Sequence, residues 1–156
     1  MSATSDEVVP RLLIRTLSFS DLPAIMEIEH ASFSLPWRES TFVGLLRRTD
    51  ADLIGATRLG RLVGYCVCWT VGDQAELGNV AVAPDERGRG TGTRLVLAGL
   101  ERVRERGARE CFLEVRESNR AARMIYENCG FEAVGRRGKY YSRPTEDALV
   151  MRRDLS

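Results

Sequence analysis

The sequence predicts one α/β domain in which a single mixed sheet carries helices on both faces. Three observations predict it. At 156 residues and 44% hydrophobic content, the chain can bury one sizeable core but is too short for two domains of ordinary size. Successive apolar runs between residues 51 and 82 are separated by short turns, as in an antiparallel meander. Beyond them strand-like runs alternate with helical periodicity, which calls for a sheet covered on both faces.

Each element has its own local reason. Residues 1–10 form a polar tail expected to be flexible, and the domain is expected to span residues 11–156. RLLIRTL (11–17) reads as a first strand. SDLPAIMEIEHASF (20–33) reads as a helix with Ser20 as its cap and Pro23 tolerated in its first turn. Leu22, Ile25, Met26, Glu29 and Phe33 recur there at helical spacing, and Glu29 is the one polar member. SLPW (34–37) ends that helix, and a second short one follows from about Arg38 to Arg48.

ADLIGATRL (51–59) and LVGYCVCWTV (62–71) form a hairpin through a tight Gly60-Arg61 turn, and AELGNVAV (75–82) continues the meander. Leu95, Val96, Gly99, Leu100 and Val103 then mark one apolar helix face. CFLEV (111–115) is a short buried strand. SNRAARMIYENCGF (118–131) is a helix capped by Ser118 or Asn119 and stopped by Gly130, and EAVGRR (132–137) and ALVMRR (148–153) are the last strands.

Composition excludes several function classes. With 23 basic and 22 acidic residues the net charge is +1, which argues against a dedicated nucleic-acid binder and offers no electrostatic case for a membrane surface. No apolar run approaches the roughly 20 residues of a membrane span, and the N-terminal stretch lacks the pattern of a secretion signal, so a cytoplasmic setting is expected. Cys66, Cys68, Cys111 and Cys129 lack zinc-type spacing and His30 is the only histidine. Reduced core cysteines and no metal are expected.

The stretch DERGRGTG (85–92) carries the chemistry. A P-loop spacing is absent, and Thr93 stands where the last glycine of a dinucleotide fingerprint belongs. Residues 88–93 lie between a strand end and a helix start, so unpaired N–H groups and the positive helix end converge there. A pyrophosphate suits that point, with Arg87 or Arg89 adding a charge-assisted contact.

NVAVAPDERGRGTGTRL (79–95) resembles the acetyl-coenzyme A motif of the GNAT superfamily of N-acetyltransferases, matched at Arg87, Gly90 and Gly92. The resemblance implies the GNAT fold, a mixed, mostly antiparallel sheet of six to seven strands split near its centre and flanked by about four helices. It implies acetyl-CoA as donor, held by the loop Arg87, Gly88, Arg89, Gly90, Thr91, Gly92 and Thr93, with Val80, Ala81 and Val82 pairing with the pantetheine arm and acetyl group. FLEVRESNRAARMIYENCGF (112–131), PWRES (36–40) and KYYSRPTEDALVM (139–151) resemble the RimI-type ribosomal-protein alanine N-acetyltransferases. This implies Glu114 as general base, Tyr126 as general acid and Asn119 as a coenzyme contact.

Each residue has a plainer alternative. Glu114 is a strand-end acid pointing to solvent, Tyr126 a packed core tyrosine, or Asn119 only a helix cap. Trp37, Glu39, Tyr140 and Tyr141 are candidate substrate contacts, or loop side chains packing on the sheet. Cys129 has no histidine nearby and is a poor acyl carrier, so direct transfer in a ternary complex is preferred. The expected partner is a protein N-terminus, that of a ribosomal protein first, with no direct nucleic-acid or membrane contact and a monomer or weak dimer acting. An acetyltransferase for lysine side chains or small amines is the second reading, and a non-catalytic acyl-CoA-binding module the third.

Overall fold

Residues 10–156 are described in the computed structural model, and the remainder of the expected tail, residues 1–9, lies outside them. The elements run β1 (Leu13–Thr16), α1 (Leu22–Ser32), α2 (Glu39–Arg47), β2 (Ala51–Arg58), β3 (Arg61–Val71), β4 (Gln74–Val82), α3 (Thr91–Glu105), β5 (Glu110–Arg116), α4 (Arg120–Asn128), β6 (Glu132–Tyr141) and β7 (Glu146–Asp154). They build one seven-stranded sheet in the order β1-β2-β3-β4-β5-β7-β6. Every neighbouring pair is antiparallel except β4 and β5, which the α3 crossover makes parallel.

That parallel pair is short. β4 and β5 are joined only from Gln74↔Glu110 to Glu76↔Phe112, and then part, leaving the rest of the β4 edge without a partner strand. Just past the junction β4 bulges, because Val67 pairs with Asn79 and Cys68 with Leu77, with Gly78 as the extra residue. A Cβ at Gly78 would fall 2.2 Å from the Trp69 ring, so only glycine leaves room for the indole.

The two sheet faces bury separate cores. Leu95, Val96 and Val103 of α3 pack with Cys66, Cys68 and Leu113, together with Tyr126 of α4. Opposite them Ile25 and Ile28 of α1 and Phe42 and Leu45 of α2 pack on Leu53, Tyr65 and Val67. β3 lies between the cores, and its residues Leu62–Cys68 are buried throughout. All four cysteines are buried and free, as expected for core thiols. No helix among the described residues is long and apolar enough to cross a membrane.

Three local expectations need correction. The hairpin turn is Leu59-Gly60 rather than Gly60-Arg61, since Arg58 pairs with Arg61 and the two residues between them have φ of 50° and 77°. Two left-handed residues in succession match the twist of a hairpin, and the turn's geometry outweighs the strain at Leu59. Ser20 does not cap α1. A 3-10 turn at Phe19–Asp21 precedes the helix, and Asp21 Oδ2 accepts the Ser18 N–H at 2.8 Å. Arg15 also donates to Asp21 Oδ1 at 2.7 Å, and chiefly through this bond the Asp21 carboxyl is drawn down to about 2. Finally, β6 runs on to Tyr141, so Tyr140 and Tyr141 stand on a strand instead of a loop.

Candidate active site

Where β4 and β5 part, a cleft of about 800 Å³ opens through the sheet. β5 explains how a carboxylate comes to lie in it. Cys111, Leu113 and Val115 are buried, while Phe112, Glu114 and Arg116 alternate onto the half-exposed face that lines the cleft. Glu114 is therefore not an acid inside an apolar strand core. Its Oε1 lies 3.1 Å from Arg137 Nε, and its carboxylate, beside the Tyr140 phenol, pushes that phenol's pKa up.

One wall is the β6–β7 end. Tyr140 and Tyr141 meet edge to face with ring centroids 5.0 Å apart, and the Arg116 guanidinium lies 4.6 Å over the Tyr141 ring. Tyr140 is exposed, whereas burial raises the Tyr141 phenol to about 12. The other wall is the segment between α1 and α2, with Phe33, Leu35 and Trp37. The walls touch where Ser34 Oγ donates to the Arg143 carbonyl at 3.4 Å.

Tyr126 reaches the cleft from α4 but is also a core residue. It is 8% exposed, stacks edge-on with Phe131 at 5.9 Å, and burial raises its phenol pKa. Asn119 likewise does two things. Its Oδ1 accepts the Ala122 N–H at 3.2 Å and so caps α4, and the residue lines the cleft.

The glycine loop adjoins this cleft without lining it, since none of residues 87–93 is among its lining residues. Arg87 donates to the Val82 carbonyl at 3.1 Å and to the hydroxyl of Ser32, a cleft residue, at 3.3 Å. Gly90 caps α3 with φ of 82°, a left-handed conformation that side chains resist, and the space around it is open. Arg94 N–H is the first to find a partner in the helix, on the Gly90 carbonyl. The N–H groups of Thr91, Gly92 and Thr93 therefore start the helix without intrahelical partners, as an anion requires.

The Thr91 side chain is not part of that cradle. It is buried and donates to Glu86 Oε1 at 3.0 Å, and Arg58 binds the same oxygen at 2.7 Å. Arg89 stays exposed, 3.8 Å from Glu86. Val80 and Val82 turn toward α3 and Ala81 toward α1, leaving one backbone edge of β4 free past its junction with β5.

Sequence reasoning missed Glu29 as a cleft residue. It is 1% exposed yet borders the cleft. Its Oε2 accepts the Trp37 backbone N–H at 2.7 Å, and Oε1 accepts Asn79 Nδ2 at 2.8 Å and the Tyr65 hydroxyl. Burial raises its pKa above the usual carboxylate value, against the pull of these three donors. The signal was a single polar residue in an otherwise apolar helical stripe. Glu39, in contrast, opens α2, where a carboxylate suits the positive helix end, and lies outside the residues lining the cleft.

The model of the acetyltransferase (GNAT) family matches residues 22–131, from the start of α1 to just past α4. The chain belongs to the GNAT acetyltransferase family. This acetyltransferase is 37% identical over 147 residues to the ribosomal protein bS18-alanine N-acetyltransferase of Salmonella typhimurium, covering 92% of this chain and 97% of that one. The crystal structure of the ribosomal-protein-S18-alanine N-acetyltransferase from Escherichia coli superposes with a TM-score of 0.86 at 33% identity, covering 94% of this chain and 95% of the other. Ard1 from Thermoplasma volcanium gives a TM-score of 0.85 at 26% identity, covering 93% and 98%.

As an N-acetyltransferase, the chain brings together what acyl transfer to an amine needs. The cleft offers a carboxylate, a phenol and a free strand edge, and the helix start beside it offers an anion cradle. No cluster of three or more potential metal ligands exists among the described residues. Cys129 is buried, and burial raises its thiol pKa, which disfavours the thiolate an acyl carrier would need.

Proposed function

We propose that this protein transfers the acetyl group of acetyl-CoA to the N-terminal α-amine of a ribosomal protein, the alanine of bS18 first among candidates. The observation that carries this reading is the split cleft, with Glu114 and Tyr126 lining it and the glycine loop joined to it through the Arg87–Ser32 bond. The relatives named for bS18-alanine acetylation supply the choice of acceptor. A ribosomal acceptor also agrees with the cytoplasmic setting expected from the sequence.

The donor fits the residues present. Three free N–H groups at the α3 start and the exposed Arg89 suit a pyrophosphate, and the open β4 edge suits an extended amide arm. Acetyl-CoA supplies the thioester that activates the acetyl group. Everything else falls to the chain.

An α-ammonium loses its proton near pH 7.7 to 8.0, so at pH 7 roughly 80 to 90% of the acceptor is still protonated and needs a base. Glu114 accepts that proton, directly or through water. N–H groups alternate along a strand, so either Val80 or Ala81 directs its N–H at the open edge, where charge develops on the carbonyl oxygen. Tyr126 donates its phenolic proton to the departing sulfur and recovers one from solvent. Trp37, Tyr140 and Tyr141 grip the first residues of the acceptor chain.

Mass spectrometry of peptides with the bS18 N-terminal sequence, incubated with acetyl-CoA and this protein, tests the proposal. A gain of one acetyl group on the α-amine is expected, with internal lysines unmodified. Acetylation confined to lysines or small amines would overturn it.

A further inference from the structure

We propose that Glu29 is a positioning residue for acyl transfer, its carboxylate tying the wall that grips the acceptor to the strand that presents the acetyl group. The inference rests on the function proposed above and concerns a residue that plays no part in the chemistry so far described.

The geometry is specific. Glu29 sits near the end of α1, and its three donors come from three other parts of the chain: Trp37 between α1 and α2, Tyr65 in β3 and Asn79 in β4. Trp37 lines the acceptor wall. Asn79 follows the Gly78 bulge and precedes Val80, at the point where β4 turns free of β5.

A carboxylate with 1% exposure is costly to bury, and a core role alone would be met by a leucine on this stripe. A carboxylate has only acceptors, and every neighbour here is a donor. The Trp37 bond goes to a backbone N–H, so it holds the chain path of the acceptor wall as well as one side chain. Gly78 strengthens the joint, since its missing Cβ lets the Trp69 ring come close against the bulge, with Trp37 next to it.

Two variants separate positioning from simple packing. Glu29→Gln keeps an oxygen for Tyr65 and Asn79 and turns an NH₂ toward the Trp37 N–H, so donor faces donor and the acceptor wall shifts. Peptide KM is expected to rise about tenfold, with the acetyl-CoA Kd unchanged. Asn79→Ala leaves the Trp37 bond and removes the tie to β4, so kcat is expected to fall about tenfold with little change in peptide KM. A purely structural role would lower Tm in both variants and spare both constants well below Tm.

The proposal is overturned if folded Glu29→Gln and Asn79→Ala keep wild-type kcat and peptide KM, or if both lose acetyl-CoA affinity in step with Tm. If Glu29→Gln does not fold, Asn79→Ala decides alone, a kcat loss supporting the role and wild-type kinetics ending it. Wild-type protein that acetylates no N-terminal peptide overturns the function reading, and this proposal falls with it. A wild-type rate with unaltered variants overturns only the positioning role.

Discussion

Residues 80 to 93, comprising the end of β4, the glycine loop and the start of α3, are one stretch of chain, whereas the proposed acceptor side of the cleft joins Ser34 to Arg143 across 109 positions. The contiguous side works through its backbone. Its N–H groups point where they do because α3 begins at Thr91 and Gly90 holds a left-handed conformation. The acceptor side works through side chains that meet only once the sheet has formed. A backbone site survives most side-chain changes and fails at a glycine, while an assembled site fails at its joints.

Substitutions on the two sides should therefore separate by the constant they move. Glu114→Gln has the largest expected effect, because it keeps the shape of the group and removes its proton acceptance. Turnover at pH 7 should fall about 10²- to 10⁴-fold in a steady-state assay, with acetyl-CoA binding intact. Part of the loss should return above pH 8, where the amine is already neutral, and a wild-type rate at pH 7 would remove Glu114 from the chemistry.

Tyr126→Phe comes next. Its ring packs on Phe131 and stays, so Tm should hold while kcat drops about 10- to 100-fold and peptide KM changes little. An early melt with full kcat would make Tyr126 a core residue and leave water as the proton donor.

Gly90→Val strains a φ of 82° and places a branched chain beside the anion cradle. Calorimetry should show about 10- to 30-fold weaker acetyl-CoA binding. Unchanged affinity would mean that the loop does not hold the coenzyme. Tyr141→Ala should have the smallest effect, raising peptide KM about 3- to 10-fold and sparing the acetyl-CoA KM. If it weakened acetyl-CoA instead, the two sides would not be separable.

Legibility in the sequence followed the same division. The glycine loop was readable because its spacing and its place between strand and helix are local. α3 was readable from Leu95, Val96, Leu100 and Val103, all of which are buried. β6 was cut short at Arg137 because its first nine residues, an edge strand, are all exposed and carry no apolar alternation. Glu29 was legible as an anomaly, one acid in an apolar stripe, but its three donors lie 8, 36 and 50 positions away. Glu39 was credited to the cleft for its neighbours in sequence, and the first turn of α2 carries it elsewhere.

The element order and the unpartnered N–H groups at the start of α3 follow from interactions within a few residues, where periodicity and allowed φ act directly. Folding in three dimensions decided where β4 leaves β5, which face of β5 turns to the cleft, and whether each acid is solvated, paired or buried among donors. Those outcomes depend on which surfaces pack. The free energy of a carboxylate depends on the atoms within a few ångströms of it, and for Glu29 and Glu114 those atoms come from chain far away in sequence.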